Sequence, residues 1–183
     1  LNQNTMGLRV KGNTHNLDYR AEYTTQGGEE EKLPAGTLDG VAEDIKDANQ
    51  MNVEVGYTIP AAKNLRIGLE YFDASKNYRE LFPTKHKWLG HMDLFRRNNI
   101  NGFVVHLSNK WSDRFKSSLD YHVFNRSDDA TAAPAWGTGA SHSMTGGNTE
   151  KALGTEWDLA LKYKATESLG WTFGLSQFTA GNY

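Results

Sequence analysis

The chain has 183 residues, which by length is a single domain or one portion of a larger one. Hydrophobic residues make up 38% and charged residues 23%, and the formal net charge of −2 lacks the strongly basic signature of a nucleic-acid binder. Mean hydropathy is −0.67, and no apolar run is long enough for a membrane-crossing helix, which needs ~20 residues. A membrane β-barrel stays open, because its apolar residues are spread over every second position. Cysteine is absent, so disulfides and thiolate metal sites are excluded. No secretory signal opens at Leu1, as expected of a mature chain, a cytosolic one or a fragment.

Eight segments alternate apolar and polar residues with period two, the period of strands. Residues 5–11 place Met6, Leu8 and Val10 on one face, and 17–26 place Leu17, Tyr19, Ala21 and Tyr23. Residues 51–59 and 65–71 follow, with Val53, Val55 and Tyr57, then Ile67, Leu69 and Tyr71. Residues 101–108 contribute Phe103, Val105 and Leu107, and 115–124 contribute Phe115, Leu119, Tyr121 and Val123. The last two are 156–164, with Trp157, Leu159, Leu161 and Tyr163, and 169–178, with Trp171, Phe173 and Leu175. Opposite positions carry Arg9, Lys11, Asp18, Arg20, Glu22, Glu54, Arg66, Glu70, Lys116, Asp120, His122, Glu156, Asp158, Lys162 and Lys164.

Short turns at 12–16, 60–64, 109–114 and 165–168 alternate with long links at 27–50, 72–100 and 125–155. Short turns on one side and long loops on the other characterise outer-membrane barrels. All four prolines fall in connections, where a missing N–H breaks no ladder. Residues 38–48 are compatible with a short loop helix. Alternation alone does not separate a soluble sandwich, charged face outward, from a membrane barrel, charged face lining the lumen. Aromatic position favours the barrel: Tyr57, Trp111, Phe115, Tyr163 and Trp171 fall near the short-turn ends, and Tyr23, Tyr71, Phe103, Tyr121 and Trp157 near the other. The expected fold is therefore an all-β, antiparallel transmembrane β-barrel with about eight strands present. Four short turns against three long links put both chain ends on the long-loop side. That, with so many lumen charges, is the expectation for part of a larger barrel.

Residues 81–95 read LFPTKHKWLGHMDLF. This resembles the F-P-T-x-H-x-x-x-G-x-x-D motif of the alginate-export family of outer-membrane barrels, with Phe82, Pro83, Thr84, His86, Gly90 and Asp93 in the motif positions. The flanking segments LRIGLEY (65–71) and NNINGFVVHL (98–107) are similar to that family's strands around the motif. LGTEWDLALKY (153–163) resembles its G-x-E-x-D strand, and 171–181 a late strand ending in F-x-x-G. The likeness runs from about residue 51 onward; the first fifty residues match only as generic barrel. It implies a barrel of about eighteen strands in the bacterial outer membrane. It also implies passage of an anionic polysaccharide or another polar or anionic solute.

The candidate pore-lining set is Arg9, Lys11, Arg20, Glu22, Glu54, Arg66, Glu70, Lys116, Asp120, His122, Glu156, Asp158, Lys162 and Lys164. With Asp18 included, the face carries seven basic and seven acidic residues, whereas a polyanion pore is expected to be strongly positive. The link 72–100 is basic, with Lys76, Arg79, Lys85, Lys87, Arg96 and Arg97; it either folds into the pore or lies outside against anionic lipopolysaccharide. The acidic link 27–50 reads as a solvated charge run without calcium-loop spacing. His86, His91 and Asp93 lack the partners of a standard zinc pattern, so no metal and no cofactor is expected. The glycines of 125–155 form no phosphate loop. The leading expectation is a passive outer-membrane channel, with no catalytic residue. The alternatives are a barrel hydrolase, with Asp120, His122 and Glu156 as first suspects, and a soluble all-β binding module. Expected partners are membrane lipid, lipopolysaccharide, the solute and any chain that completes the barrel, with no nucleic acid.

Overall fold

The computed structural model describes residues 2–32, 41–80, 88–128 and 149–182. Nine strands form: β1 (Gln3–Thr14), β2 (Leu17–Lys32), β3 (Val41–Asp44), β4 (Ala48–Ile59), β5 (Leu65–Ala74), β6 (Ile100–Lys110), β7 (Phe115–Asn125), β8 (Ala152–Lys164) and β9 (Gly170–Ala180). Eight of them make one antiparallel meander in the order β1-β2-β4-β5-β6-β7-β8-β9, and β3 pairs only with the far end of β2. The sheet is not closed, since β1 and β9 are its two edges. The eight alternating segments are the eight strands of this path.

Several strands run a few residues past the expected bounds, β1 over Gln3–Thr14 and β8 from Ala152 among them, and the largest departure is at β2. The second strand runs on to Lys32, and residues 41–44, within a stretch compatible with a short loop helix, are instead extended and pair with it from Glu29↔Asp44 to Lys32↔Val41. This extension is polar on both faces, so backbone pairing leaves no apolar alternation to read. The short turns fall where expected. One is the two-residue connection His15–Asn16 between the paired Thr14 and Leu17, with His15 left-handed at φ 53. Another is a 3-10 turn over Pro60–Ala62, followed by left-handed Lys63 and Asn64.

The two faces of the sheet have different surroundings. Odd-numbered positions from β2 to β9, Leu153 at the irregular start of β8 excepted, and even-numbered ones in β1 present largely apolar side chains that no described residue covers. Met6 is 72% exposed and Phe173 58%, and Val53, Ile67, Leu69 and Leu175 are also exposed. There is thus no dry centre built from these residues. The opposite face is roofed by the β5–β6 connection. Phe72, Ala74, Val104 and Phe124 of that face are buried against Tyr78 and Leu89, with Ile100 and Leu153, and Trp88, Phe95 and Phe178 pack around them. Burying one large apolar side chain contributes roughly 1.5–3 kcal/mol, so this cluster is what holds the connection down. Phe72 belongs to β5 rather than to the link, and the link folds onto the charged face instead of standing outside it. The face is therefore not uniformly wet: Glu70, His122, Glu156 and Asp158 are buried.

Candidate functional site

All fourteen charged positions expected to share a face do so, because the register aligns them. Arg20 is the cross-strand partner of Glu54, Glu54 of Glu70, and His106 of Asp120. Glu54 and Glu70 directly opposite one another would repel, and cations occupy the space between them. Arg20 Nη2 donates to Glu54 Oε2 at 2.9 Å and to Glu70 Oε2 at 3.1 Å. Arg66 donates to Asp18 and, at 2.7 Å, to Glu54 Oε1. Asn52 Nδ2 donates to Glu70 Oε1. His106 bridges onward, with Nε2 3.2 Å from Glu70 Oε2 and Nδ1 2.7 Å from Asp120 Oδ1. The result is a ladder, Asp18–Arg66–Glu54–Arg20–Glu70–His106–Asp120, across β2, β4, β5, β6 and β7. Sequence reasoning passed over His106; the available signal was its even position between Val105 and Leu107.

Ligand atoms of Glu54, Glu70 and His106 lie within 4.8 Å of one another, a spacing that a metal can use. Their carboxylate oxygens, however, already accept from Arg20, Arg66, Asn52 and His106. The trio reads as the node of an ion-pair network.

A second assembly joins the β5–β6 connection to β8. Glu156 and Asp158 are 0% and 1% exposed. Met92 N–H donates to Glu156 Oε1 at 2.9 Å, and His91 N–H to Asp158 Oδ2 at 3.1 Å. His122 Nε2 lies 3.2 Å from Asp158 Oδ2, and His91 Nδ1 3.9 Å from Asp158 Oδ1. Gly90 precedes this contact with φ +85, and a Cβ there would sit 2.5 Å from Glu156 Oε1. Only glycine combines that backbone with that approach. Next to it Phe95 packs between Phe124 and Phe178, at ring distances of 4.9 and 5.8 Å. Gly154, beside the irregular register at Phe124/Asn125, has φ +146, and a Cβ would meet Thr179 O at 2.4 Å. Thus Gly90 from the first motif and Gly154, Glu156 and Asp158 from the second form one latch. Phe82, Pro83, Thr84 and His86 lie outside the described residues, as do Lys85 and Lys87. Asp93 is left-handed, with φ 54.

The suspects for hydrolysis are split between the two assemblies. Asp120 pairs with His106 in the ladder, while His122 and Glu156 belong to the latch. Arg9 sits 3.7 Å from Glu22 at an exposed edge. Lys11, Lys116, Lys162 and Lys164 enter no ion pair among the described residues. Lys110, Lys116 and Lys162 are successive cross-strand partners over β6, β7 and β8, a basic row at the short-turn end of the face.

Between the ladder and the connection lies a cavity of about 280 Å³. Arg97, a cation of the link expected either in the pore or outside it, is buried there. Its N–H donates to Glu80 Oε1 at 2.9 Å and its Nη1 to Gln50 Oε1 at 3.0 Å. Burial pulls the Arg97 guanidinium below its ordinary value and pushes the nearby Tyr78 phenol up. Arg20 stacks 4.2 Å from the Trp88 ring centre, and Gln26 exchanges two hydrogen bonds with the Arg79 backbone. Lys76 instead reaches Asp128 at 2.8 Å.

Among curated proteins none matches this chain. The family model described as alginate export, by contrast, matches residues 2–183, including the first fifty residues that resembled only a generic barrel. With Gly90 of one motif meeting Glu156 of the other and the match running along nearly the whole sequence, the chain belongs to the alginate-export family.

Proposed function

We propose that these strands cross the bacterial outer membrane with the uncovered apolar face toward lipid. The charged face then lines a passive channel for polar or anionic solutes, polysaccharide among them. The observation that carries this reading is the inversion of the two faces: large apolar side chains stand uncovered while carboxylates are buried under a connection. A soluble module would arrange them the other way round. Strand length supports it, since 9–11 tilted residues suffice to span a bilayer and the eight meander strands have 10 to 16. So do the aromatic rows. Tyr121 packs tilted against Trp157, ring centres 4.2 Å apart, toward one end, and Phe115, Tyr163 and Trp171 are cross-strand neighbours near the other. The unpaired edges of β1 and β9 suit a larger barrel, completed by further strands or by a partner chain. The family description, alginate export, names transport rather than a reaction, and the channel needs no covalent chemistry.

In this reading the described parts of the β5–β6 connection, 75–80 and 88–99, narrow the passage, and the lysine row sets its sign at the short-turn mouth. Replacing Arg66, Lys116 and Lys162 with glutamine removes three positive charges from the face. Planar-bilayer recordings on the full-length protein should then show the reversal potential moving toward cation selectivity, with the larger part due to Lys116 and Lys162, which no carboxylate among the described residues neutralises. Reversal potentials identical to those of the parent would remove this face from the ion path.

A further inference from the structure

We propose that the cavity between the ladder and Tyr78, Glu80, Trp88 and Arg97 of the connection is a binding site for a small zwitterion, one carboxylate and one ammonium on a compact frame. This rests on the reading of the charged face as the solute path and narrows the class of solute. Three atoms in the cavity's wall residues lack a hydrogen-bond partner: Arg20 Nε, Arg97 Nη2 and Asn52 Oδ1. Two are cationic donors and one is an acceptor. Leaving such groups unpaired out of water is costly, so a guest that meets them as the wall relaxes onto it recovers that loss. A carboxylate answers the two guanidinium donors, and an ammonium answers the amide oxygen.

The charges decide between a zwitterion and a simple anion. Arg20 and Arg97 line the cavity together with Glu22 and Glu80, and Arg20 is paired from behind with Glu54 and Glu70. A plain anion drawn to the arginines has to settle beside both glutamates, and a plain cation beside both arginines. A guest with both charges places each against its opposite, and its own neutrality leaves the balance of the cavity intact. The volume of about 280 Å³ accommodates a molecule of amino-acid size.

Isothermal titration of the full-length protein in detergent micelles with three probes of one frame tests this. L-glutamine carries both charges, N-acetyl-L-glutamine only the carboxylate, and L-glutamine α-amide only the ammonium. L-glutamine should bind at least ten-fold more tightly than either of the others. Arg97→Gln should remove that advantage over the α-amide. Glu80→Gln should remove the advantage over the N-acetyl compound, which keeps the test open if the buried Arg97 variant fails to fold. N-acetyl-L-glutamine binding as tightly as L-glutamine overturns the proposal in favour of an anion site, and no binding of any probe overturns it outright. Conductance of the same preparation reports separately on the channel: binding without conductance removes the channel and leaves the site.

Discussion

At the scale of single residues, the latch shows how little chain is needed to seat a long connection. Two buried carboxylates accept backbone N–H groups from His91 and Met92, and Gly90 lets the backbone come close enough to do so. Gly90→Ala forces an L residue into left-handed backbone, at about 1–2 kcal/mol, and drives a methyl group into the Glu156 carboxylate. Glu156→Ala leaves the Met92 donor buried and unpaired, at about 1–3 kcal/mol. Either change should loosen the connection without melting the sheet. The expected readout is faster protease cleavage within 88–99 and a larger single-channel conductance, with strand circular dichroism unchanged. Parental cleavage rates in both variants would mean that the latch holds nothing. Much of this was half-visible in the sequence, where Gly90, Gly154, Glu156 and Asp158 stand in two motifs. Nothing in one sequence says that motifs more than sixty residues apart touch, because that depends on the path of the connection.

At the scale of elements, the strands were legible and the roof was not. Period-two alternation is a local signal, and every strand with one apolar face announced itself by it. The exceptions have physical causes: the far half of β2 is polar on both faces, and β3, four residues reading Val-Ala-Glu-Asp, does not alternate, so backbone pairing there leaves no period-two trace in side-chain type. The roof depends on Phe72, Val104 and Phe124, which sit at the polar parity of their strands. Read locally they look like breaks in the alternation; in three dimensions they are the seat for Leu89 and Phe95. Phe124→Ala should therefore cost about 3–5 kcal/mol, mostly at the docked connection. Amide hydrogen exchange in 88–99 should rise by several orders of magnitude, while β4 and β5 amides, locked in two ladders each, stay protected. A uniform rise across the sheet would instead make Phe124 part of a global core.

At the scale of the whole molecule, the question is which solvent meets which face. Leu69 sits in the middle of β5, uncovered, between its cross-strand partners Val55 and Val105. If that face meets hydrocarbon, Leu69→Arg lodges a guanidinium near the bilayer midplane, at about 2–4 kcal/mol. If the face meets water, the same change swaps one exposed side chain for another and costs less than about 0.5 kcal/mol. Lys162→Leu at the opposite face provides the mirror control, since a lumen substitution alters selectivity more than insertion. Reversible folding of the full-length protein into short-chain lipid vesicles reads the difference directly. The expected result is a midpoint displaced to lower denaturant for Leu69→Arg and an unmoved midpoint for Lys162→Leu. Equal midpoints for Leu69→Arg and the parent protein would place the apolar face in water. The ladder and latch would then be the wrapped interior of a soluble sheet, with no passage through it.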